Sequence, residues 1–256
     1  MYMNTYLNYY NDFKETYVYN FTLGNGGIGD YIKYFLILLK HCMDNNIKIK
    51  KKINNIEIEK YIKLKHDIFN IEDNEILELK NVIIKDPNDL YDISNNSHVI
   101  DINDIFYIDS SVKDNVKNIL TTIPDEYISI HLRLGDYNLE TEQQYIACPW
   151  DNRDFSEKKL FEFIESNLGT NIIFFCDNKS YKSKIKQIYS DIFVTNVQPS
   201  HTSYNNTSDK QVLDTITEFY LLSCSKLIYS PSKNRDGKLS GFSKIASLFN
   251  KVKILY

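Results

Sequence analysis

The sequence predicts an α/β protein whose parallel β-sheet is covered by helices on both faces. In the second half of the chain, short apolar segments alternate five times with segments of helical periodicity, the pattern of a parallel sheet with crossover helices. In the first half, an apolar segment at residues 17–21 leads through a glycine-rich loop into a helical pattern at 31–43. Ligands of such sheets bind in the loops at the carboxyl ends of the strands, so we expect the functional residues there.

The elements of the second half are predicted in order from their own residues. A strand is expected at 127–132, where an apolar run follows Pro124, and a helix at 156–167, with Ser156 as N-cap and Gly169 just past its end. The remaining segments continue the alternation, with strands at 171–176, 192–194, 226–229 and 252–255 and helices at 181–189, 209–224 and 240–250.

The stretch from residue 44 to residue 120 is less regular. Segments at 82–84 and 99–102 favour strands but mix with turns rich in Asp and Asn. The basic run of Lys48, Lys50, Lys51 and Lys52 predicts a solvated strand edge or a loop.

Composition and charge exclude several classes of protein. The chain has 256 residues and a net charge of −4, which argues against a nucleic-acid-binding protein. Hydrophobic residues make up 43% and aromatic residues 14%, enough for a large folded core. The four cysteines form no CxxC pair, so we expect no zinc site, no disulfide framework and free thiols in a reducing compartment.

The ends and the residue usage add two expectations. The N-terminus lacks a basic segment followed by an apolar one, and the longest apolar run, 34–39, is too short to cross a bilayer, so we expect a soluble cytoplasmic protein without a transmembrane segment. Three arginines, Arg133, Arg153 and Arg235, stand against 27 lysines. This AT-rich coding bias is typical of a large DNA virus or an AT-rich microbe, and it makes each retained arginine informative.

The strand at 127–132 runs into the most informative motif of the chain. His131 and Arg133 are two residues apart and so point the same way while the chain is extended, Gly135 permits a turn, and Asp136 follows it. An arginine can bind a phosphate through two parallel N–H donors, which a lysine cannot. The alternative interpretation is an Arg–carboxylate pair that stabilises the turn.

Other strand ends carry further candidates, each with a structural alternative. Asp177 follows the strand at 171–176, where it would serve equally as a helix N-cap. A helix start rich in hydroxyl and free N–H groups suits a diphosphate, although capping alone explains the same residues: Ser240, Gly241, Phe242 and Ser243. Glu218 lies among apolar residues of the helix at 209–224, so it either binds something or faces solvent.

The first glycine loop fits the G-x-G-x-x-G pattern through Gly24, Gly26 and Gly29. It lacks the acidic residue expected about 20 positions later, because residues 47–52 are basic. The loop nevertheless leaves open an alternative function, a Rossmann-type enzyme that uses S-adenosylmethionine or NAD(P) through Gly24–Gly29.

Taken in order, the motifs resemble those of the GDP-fucose-dependent fucosyltransferases of the α1,2, α1,6 and protein O-fucosyl type. The resemblance begins at the first glycine loop and ends in the last third of the chain. It is carried by Gly26, Gly27, Ile28, Gly29 and Asp30, by His131, Arg133, Gly135 and Asp136, by Phe174 to Asp177, and by Glu218, Leu222, Ser223 and Ser240 to Ser243.

The resemblance implies a GT-B-like fold of two Rossmann-like domains with parallel sheets, the first one reduced. Residues 1–120 would form the acceptor-side domain, and residues 121–256 the nucleotide-sugar-binding domain. The implied reaction transfers L-fucose, or a related 6-deoxyhexose, from a GDP-sugar to a glycan hydroxyl with inversion. Neither a metal nor a cofactor besides the donor would be needed.

The resemblance also implies roles for the matched residues. Arg133 would bind the diphosphate and act as the electrostatic catalyst, and His131 would line the nucleotide site. Asp177 and Glu218 would lie near guanine and ribose, Ser240 and Ser243 near the phosphates. The base is optional: Asp136, Glu140 or Glu142 could serve.

Two departures from the family pattern matter. Leu134 stands where many relatives carry a second arginine, so phosphate binding would be weaker or shared with a lysine such as Lys210. His201 occurs between the last motifs without the arginine that relatives often place near it.

Trp150 would stack on a sugar or anchor its loop by packing. A further alternative is a glycan-binding relative that has lost turnover.

Overall fold

The computed structural model describes residues 2–90, 100–123, 126–139, 150–197, 200–203, 207–234 and 236–256. The chain forms two compact units, residues 1–107 and residues 108–256. Each unit contains a parallel β-sheet with helices, which confirms the predicted α/β class.

The first unit is built on a four-stranded sheet with the order β4-β2-β1-β5. Its strands are β1 (Thr16–Tyr19), β2 (Lys48–Lys52), β3 (Ile62–Leu64), β4 (Asn70–Ile71), β5 (Val82–Lys85) and β6 (Phe106–Ile108), of which β3 and β6 form a separate pair. Its helices are α1 (Tyr2–Tyr9), α2 (Ile28–Asn45), α3 (Glu57–Tyr61), α4 (Asp73–Glu78) and α5 (Ile102–Ile105).

Helix α2 follows β1 and the glycine loop, as predicted. Its apolar residues at helical spacing, including Phe35 and Leu39, are fully buried, and the ring of Phe35 lies 5.6 Å from that of Tyr19 in β1. The helix ends at Asn45, and its C-cap, Asn46, adopts the left-handed conformation with φ 56°.

Two predictions for the first unit are wrong. Strand β2 lies between β4 and β1, so its lysines are on an interior strand and not on an edge or in a loop. Lys51 is only 5% exposed because its Nζ lies 2.5 Å from the carboxylate of Glu59, which compensates the buried charge. Ile102, expected to belong to a strand-prone segment, begins α5, where Asp101 caps the helix through the N–H of Asn103.

The second unit contains a five-stranded parallel sheet with the order β11-β10-β7-β8-β9. Its strands are β7 (Ile128–Leu132), β8 (Ile172–Cys176), β9 (Phe193–Val194), β10 (Leu227–Tyr229) and β11 (Lys253–Leu255). Its helices are α6 (Ser110–Leu120), α7 (Glu157–Ser166), α8 (Lys179–Ile188), α9 (Asp209–Ser223) and α10 (Gly241–Phe249). The five predicted strands and four predicted helices are therefore confirmed, with boundaries shifted by a few residues at most.

The border between the units lies earlier in the chain than residue 120. Helix α6 contacts α9 and clusters with the second unit. Val112 and Val116 of α6 are buried, and this apolar face assigns the helix to the second core.

The strand order creates a topological switch point at β7. From β7 the chain proceeds through β8 to β9 on one side, then crosses to β10 and β11 on the other side. In open α/β sheets, the crevice at such a switch is where ligands bind, beyond the carboxyl ends of the strands. Here the crevice lies between the ends of β7 and β10.

None of the described helices combines the length and the apolar character that a membrane span requires.

Candidate functional site

Arg133 directly follows β7 at the switch point and is surrounded by carboxylates. Its Nη1 donates to Asp177 at 2.5 Å, its Nη2 donates to Asp136, and a carboxylate oxygen of Asp151 lies 3.8 Å from Nη2. Burial by itself would lower the pKa of Arg133, but the charges of Asp177, Asp136 and Asp151 raise it above its ordinary value. The guanidinium group is therefore a fixed positive charge, with its side chain 15% exposed.

Asp177 holds the turn that follows β7. Its carboxylate accepts hydrogen bonds from the backbone N–H groups of Leu134 at 2.7 Å and Gly135 at 3.0 Å, in addition to that from Arg133. The alternative of a helix N-cap is wrong for Asp177, because the next residue, Asn178, caps α8 by accepting from the N–H of Tyr181. Asp177 thus fixes both the position of Arg133 and the backbone beside it.

Gly135 allows a second loop to pass directly over this turn. Its φ is +92°, and a Cβ atom at this position would lie 2.1 Å from the backbone oxygen of Asp151. Hydrogen bonds from the N–H of Tyr137 to Asp151 O, at 3.0 Å, and from the N–H of Arg153 to Leu134 O, at 3.1 Å, hold the two segments together.

The overlying loop brings a second arginine to the cluster. Asp151 accepts from Nε of Arg153 at 3.2 Å and from Nη2 at 3.3 Å, while its other neighbour is Arg133. Neither Asp151 nor Arg153 is among the site residues predicted from the sequence. The rarity of arginine in this chain is the signal that could have indicated Arg153.

His131 lies within β7 and is buried at 7% exposure. Its ring stacks on Phe242 with 5.2 Å between centroids, and its Nδ1 is 2.5 Å from Oγ of Ser243. Burial, reinforced by the charges of Arg133, Arg153 and Lys182, lowers the pKa of His131 to about 3. The imidazole is therefore neutral at physiological pH.

The N-terminus of α10 belongs to the same cluster. Ser243 contacts His131, and Oγ of Ser232, after β10, accepts from the N–H of Arg133 at 3.1 Å. Ser240 occupies the N-cap position of α10 but makes no side-chain capping hydrogen bond. The predicted helix-start residues, Ser240 to Ser243, and the Arg133 motif thus meet where β7 and β10 end.

Glu218 is buried, so the alternative of a solvent-facing position is wrong. Its carboxylate accepts from Nζ of Lys182 at 2.8 Å and from the hydroxyl of Thr195, and it is 8% exposed. Lys182 of α8 is 4% exposed and is a residue that the sequence did not single out. The interior of the unit therefore contains an ion pair supported by a hydroxyl group.

Asp136 and His201 meet beside Arg133. Asp136 is 1% exposed, and its second carboxylate oxygen lies 3.9 Å from Nε2 of His201. The carboxylate of Asp136 therefore faces Arg133 on one side and an imidazole on the other. The two other candidates for a base, Glu140 and Glu142, lie outside the described residues.

The remaining predicted residues, Gly26, Gly27, Gly29 and Asp30, form a turn in the first unit. Gly26 has φ +124°, and a Cβ atom there would lie 2.5 Å from the carboxylate of Asp30. Gly27 is the N-cap of α2 and Gly29 lies in its first turn. Nζ of Lys33 pairs with Asp30 at 2.9 Å.

Three further residues named from the sequence differ in their exposure. Leu134 is buried in the apolar core of the second unit. Lys210 is 83% exposed and pairs with Asp214 at 2.9 Å. Trp150 is 68% exposed, which favours sugar stacking over a packing anchor.

A cavity of about 420 Å³ lies beside the cluster, lined in part by Asp154, Tyr229 and Lys233. Neither Arg133 nor His131 lines it. The candidate site is therefore defined by converging polar groups at the strand ends and not by this cavity.

Solved structures share the fold of the chain. NodZ, an α-1,6-fucosyltransferase from Bradyrhizobium, soaked with GDP-fucose, matches with a TM-score of 0.60 and 11% identity over 92% of this chain and 93% of NodZ. POFUT1 in complex with GDP matches with a TM-score of 0.55 and 9% identity over 93% and 95% of the two chains. A point mutant of Arabidopsis thaliana FUT1 with GDP gives 0.53 and 11% over 100% and 74%.

These matches confirm the predicted GT-B-like α/β fold, and they confirm the resemblance to fucosyltransferases at the level of the fold. No protein-family model matches the sequence. No curated protein matches it either.

Proposed function

We propose that the protein is a glycosyltransferase that moves L-fucose, or a related 6-deoxyhexose, from a GDP-sugar to a glycan hydroxyl. The observation that carries the proposal is the position of Arg133. It directly follows β7 at the switch point of the second sheet, and its backbone N–H donates to Ser232, after β10. The fold is shared with enzymes solved with GDP or GDP-fucose.

Arg133 is suited to stabilise the leaving group. As the acceptor oxygen bonds to the sugar C1, the bond from C1 to the β-phosphate oxygen breaks, and negative charge grows on GDP. Asp136 and Asp177 fix the guanidinium through one N–H of each terminal nitrogen, and within the described part of the chain this leaves three of its five N–H donors for phosphate oxygens. Such preorganised donors stabilise the transition state more than the ground state.

The site does not attract a diphosphate through bulk charge. Three carboxylates, those of Asp136, Asp151 and Asp177, face two guanidinium groups, so hydrogen bonds with fixed directions must provide the binding. The first turn of α10, which the side chain of Ser240 does not cap, offers backbone N–H groups for the same anion. His131, neutral and stacked on Phe242, contributes contact and not charge.

Asp136 is better placed to position Arg133 than to accept a proton, since its carboxylate is buried against that guanidinium. The acceptor proton passes to solvent or to a base that we leave unassigned, which suffices for an oxocarbenium-like transition state. We retain inversion, independence of metal and the nucleoside-side roles of Asp177 and Glu218 as parts of the proposal. Asp177 acts there by holding the 133–135 turn.

The test is release of GDP from GDP-fucose by the wild type, with a panel of glycan acceptors and with EDTA present. Arg133→Lys is the better variant, because alanine would leave two buried carboxylates without a cation. We expect the rate of GDP release by Arg133→Lys to fall about 10²-fold or more. The melting temperature of the variant is the folding control. No GDP release by the folded wild type over long incubation would overturn the proposed activity.

Ligand-induced stabilisation separates the alternative functions. GDP is expected to raise the melting temperature, whereas S-adenosylhomocysteine and NADP are expected to leave it unchanged. Stabilisation by either of the latter alone would favour the Rossmann-type alternative. GDP binding without turnover would favour the glycan-binding relative.

A further inference from the structure

We propose that Arg153 is a second phosphate-binding arginine, so that the diphosphate is held between the guanidinium groups of Arg133 and Arg153. The inference rests on the proposed function and names a residue from a separate loop. Leu134, the residue after Arg133, is buried in the core and provides no second cation there.

The loop of Arg153 is anchored to both strands of the switch point. The N–H of Arg153 donates to Leu134 O at 3.1 Å, directly after the motif of β7. The next residue, Asp154, forms an antiparallel bridge with Lys233, after β10, through hydrogen bonds of 3.2 and 3.1 Å. These two attachments hold the Arg153 loop against the segments that follow β7 and β10.

Asp151 joins the two arginines into one cluster. It binds Arg153 through Nε and Nη2, and it lies 3.8 Å from Nη2 of Arg133. Because Asp151 engages only one edge of the Arg153 guanidinium, Nη1 has no acceptor among the residues that the structure describes. The side chain is 16% exposed, so this unused donor pair is partly desolvated and pre-positioned.

The cluster holds three carboxylates against two guanidinium groups, so a diphosphate would be bound there through directed N–H donors and not through an excess of positive charge. The choice of arginine points the same way. In a chain with 27 lysines, two of the three arginines meet here, and only arginine presents a planar fork for two phosphate oxygens.

A purely structural role would make Arg153 a tie between the loop and Asp151. The two roles differ in their dependence on the phosphate groups of the ligand. A phosphate-binding Arg153 strengthens the binding of GDP more than that of guanosine, whereas a structural tie affects both equally.

The experiment is calorimetric titration of the full chain with GDP, GMP and guanosine. Arg153→Gln is expected to weaken GDP binding about 10-fold or more, since it removes charge-assisted hydrogen bonds, and to leave guanosine binding unchanged. Arg153→Lys, which keeps the charge but loses the fork, is expected to fall between. Lys158→Ala, which removes a cation that is 85% exposed and paired with Glu162, is the matched control and is expected to match the wild type.

The outcomes separate the two proposals. If the wild type does not bind GDP, the proposed function fails. If the wild type binds GDP and both Arg153 variants bind it equally well, only the assignment of Arg153 fails. Equal losses of affinity for GDP and guanosine in Arg153→Gln would overturn the assignment of Arg153 in favour of a structural tie. Weaker GDP binding by Lys210→Ala, with unchanged binding by Arg153→Gln, would also overturn it.

Discussion

Gly135 and Asp151 are in closer contact than any side chain at position 135 would permit. The backbone oxygen of Asp151 lies 2.1 Å from the point where a Cβ atom of residue 135 would stand. The turn that presents Arg133 and the loop that presents Arg153 are therefore fitted to each other at a glycine. This contact therefore sets how closely the Arg133 turn and the Arg153 loop approach each other.

Gly135→Ala is accordingly expected to lower the free energy of unfolding by more than the backbone strain of an alanine at positive φ would by itself. The control is Gly169→Ala, because Gly169 has nearly the same φ, +93°, but nothing within 4 Å of its Cβ position. Strain of the backbone should cost about 1–2 kcal/mol in both variants, and the clash with Asp151 adds to it only at residue 135. Urea unfolding measures both, and equal losses would contradict the close approach.

His131 is expected to make the stability of the protein depend on pH. Its folded pKa of about 3 lies below the ordinary value of about 6.5. Between these values the unfolded chain binds more protons, so the contribution of His131 is complete above pH 6.5 and is lost as the pH falls towards 3. The slope reaches about 1.4 kcal/mol per pH unit.

The comparison with His131→Asn isolates this contribution from that of the carboxylates. Free energies of unfolding of the two proteins are measured at pH 7.5 and at steps down to about pH 4.5. The advantage of the wild type over the variant should shrink steadily across this range. A difference that is constant with pH would mean that His131 does not stay neutral in the folded protein.

The buried pair of Lys182 and Glu218 is expected to behave as a unit. Lys182→Met leaves a buried carboxylate without its cation and should cost about 3–5 kcal/mol, whereas the double variant with Glu218→Leu should recover most of that loss. A double-mutant cycle in urea measures the coupling, and additive losses would contradict it. If Glu218 also contacts the nucleoside, the stable double variant will bind GDP more weakly than the wild type.

Trp150 is expected to serve acceptor binding and not stability, because its side chain is 68% exposed. Trp150→Ala should leave the melting temperature and GDP binding unchanged and should raise the KM for the acceptor. Leu168→Ala, at an apolar residue that is 59% exposed before β8, is the control. A drop in melting temperature confined to Trp150→Ala would favour a packing role.

Local patterns predicted the second unit well because its strands are short apolar runs and its helices have one apolar face. Arg133 and its neighbours could be predicted as site residues for the same reason, since they directly follow β7. Asp151 and Arg153 could not be predicted from the sequence, because their position depends on a loop that passes over Gly135. Lys182 could not be separated by pattern from the many solvated lysines, and the border near residue 107 depends on where the apolar face of α6 packs.

The most direct test of the central claim is a crystal structure of the protein with GDP bound. We predict that oxygens of the β-phosphate lie within hydrogen-bonding distance of Arg133, next to the first turn of α10. A nucleotide bound elsewhere, with Arg133 engaged only by Asp136 and Asp177, would contradict the account.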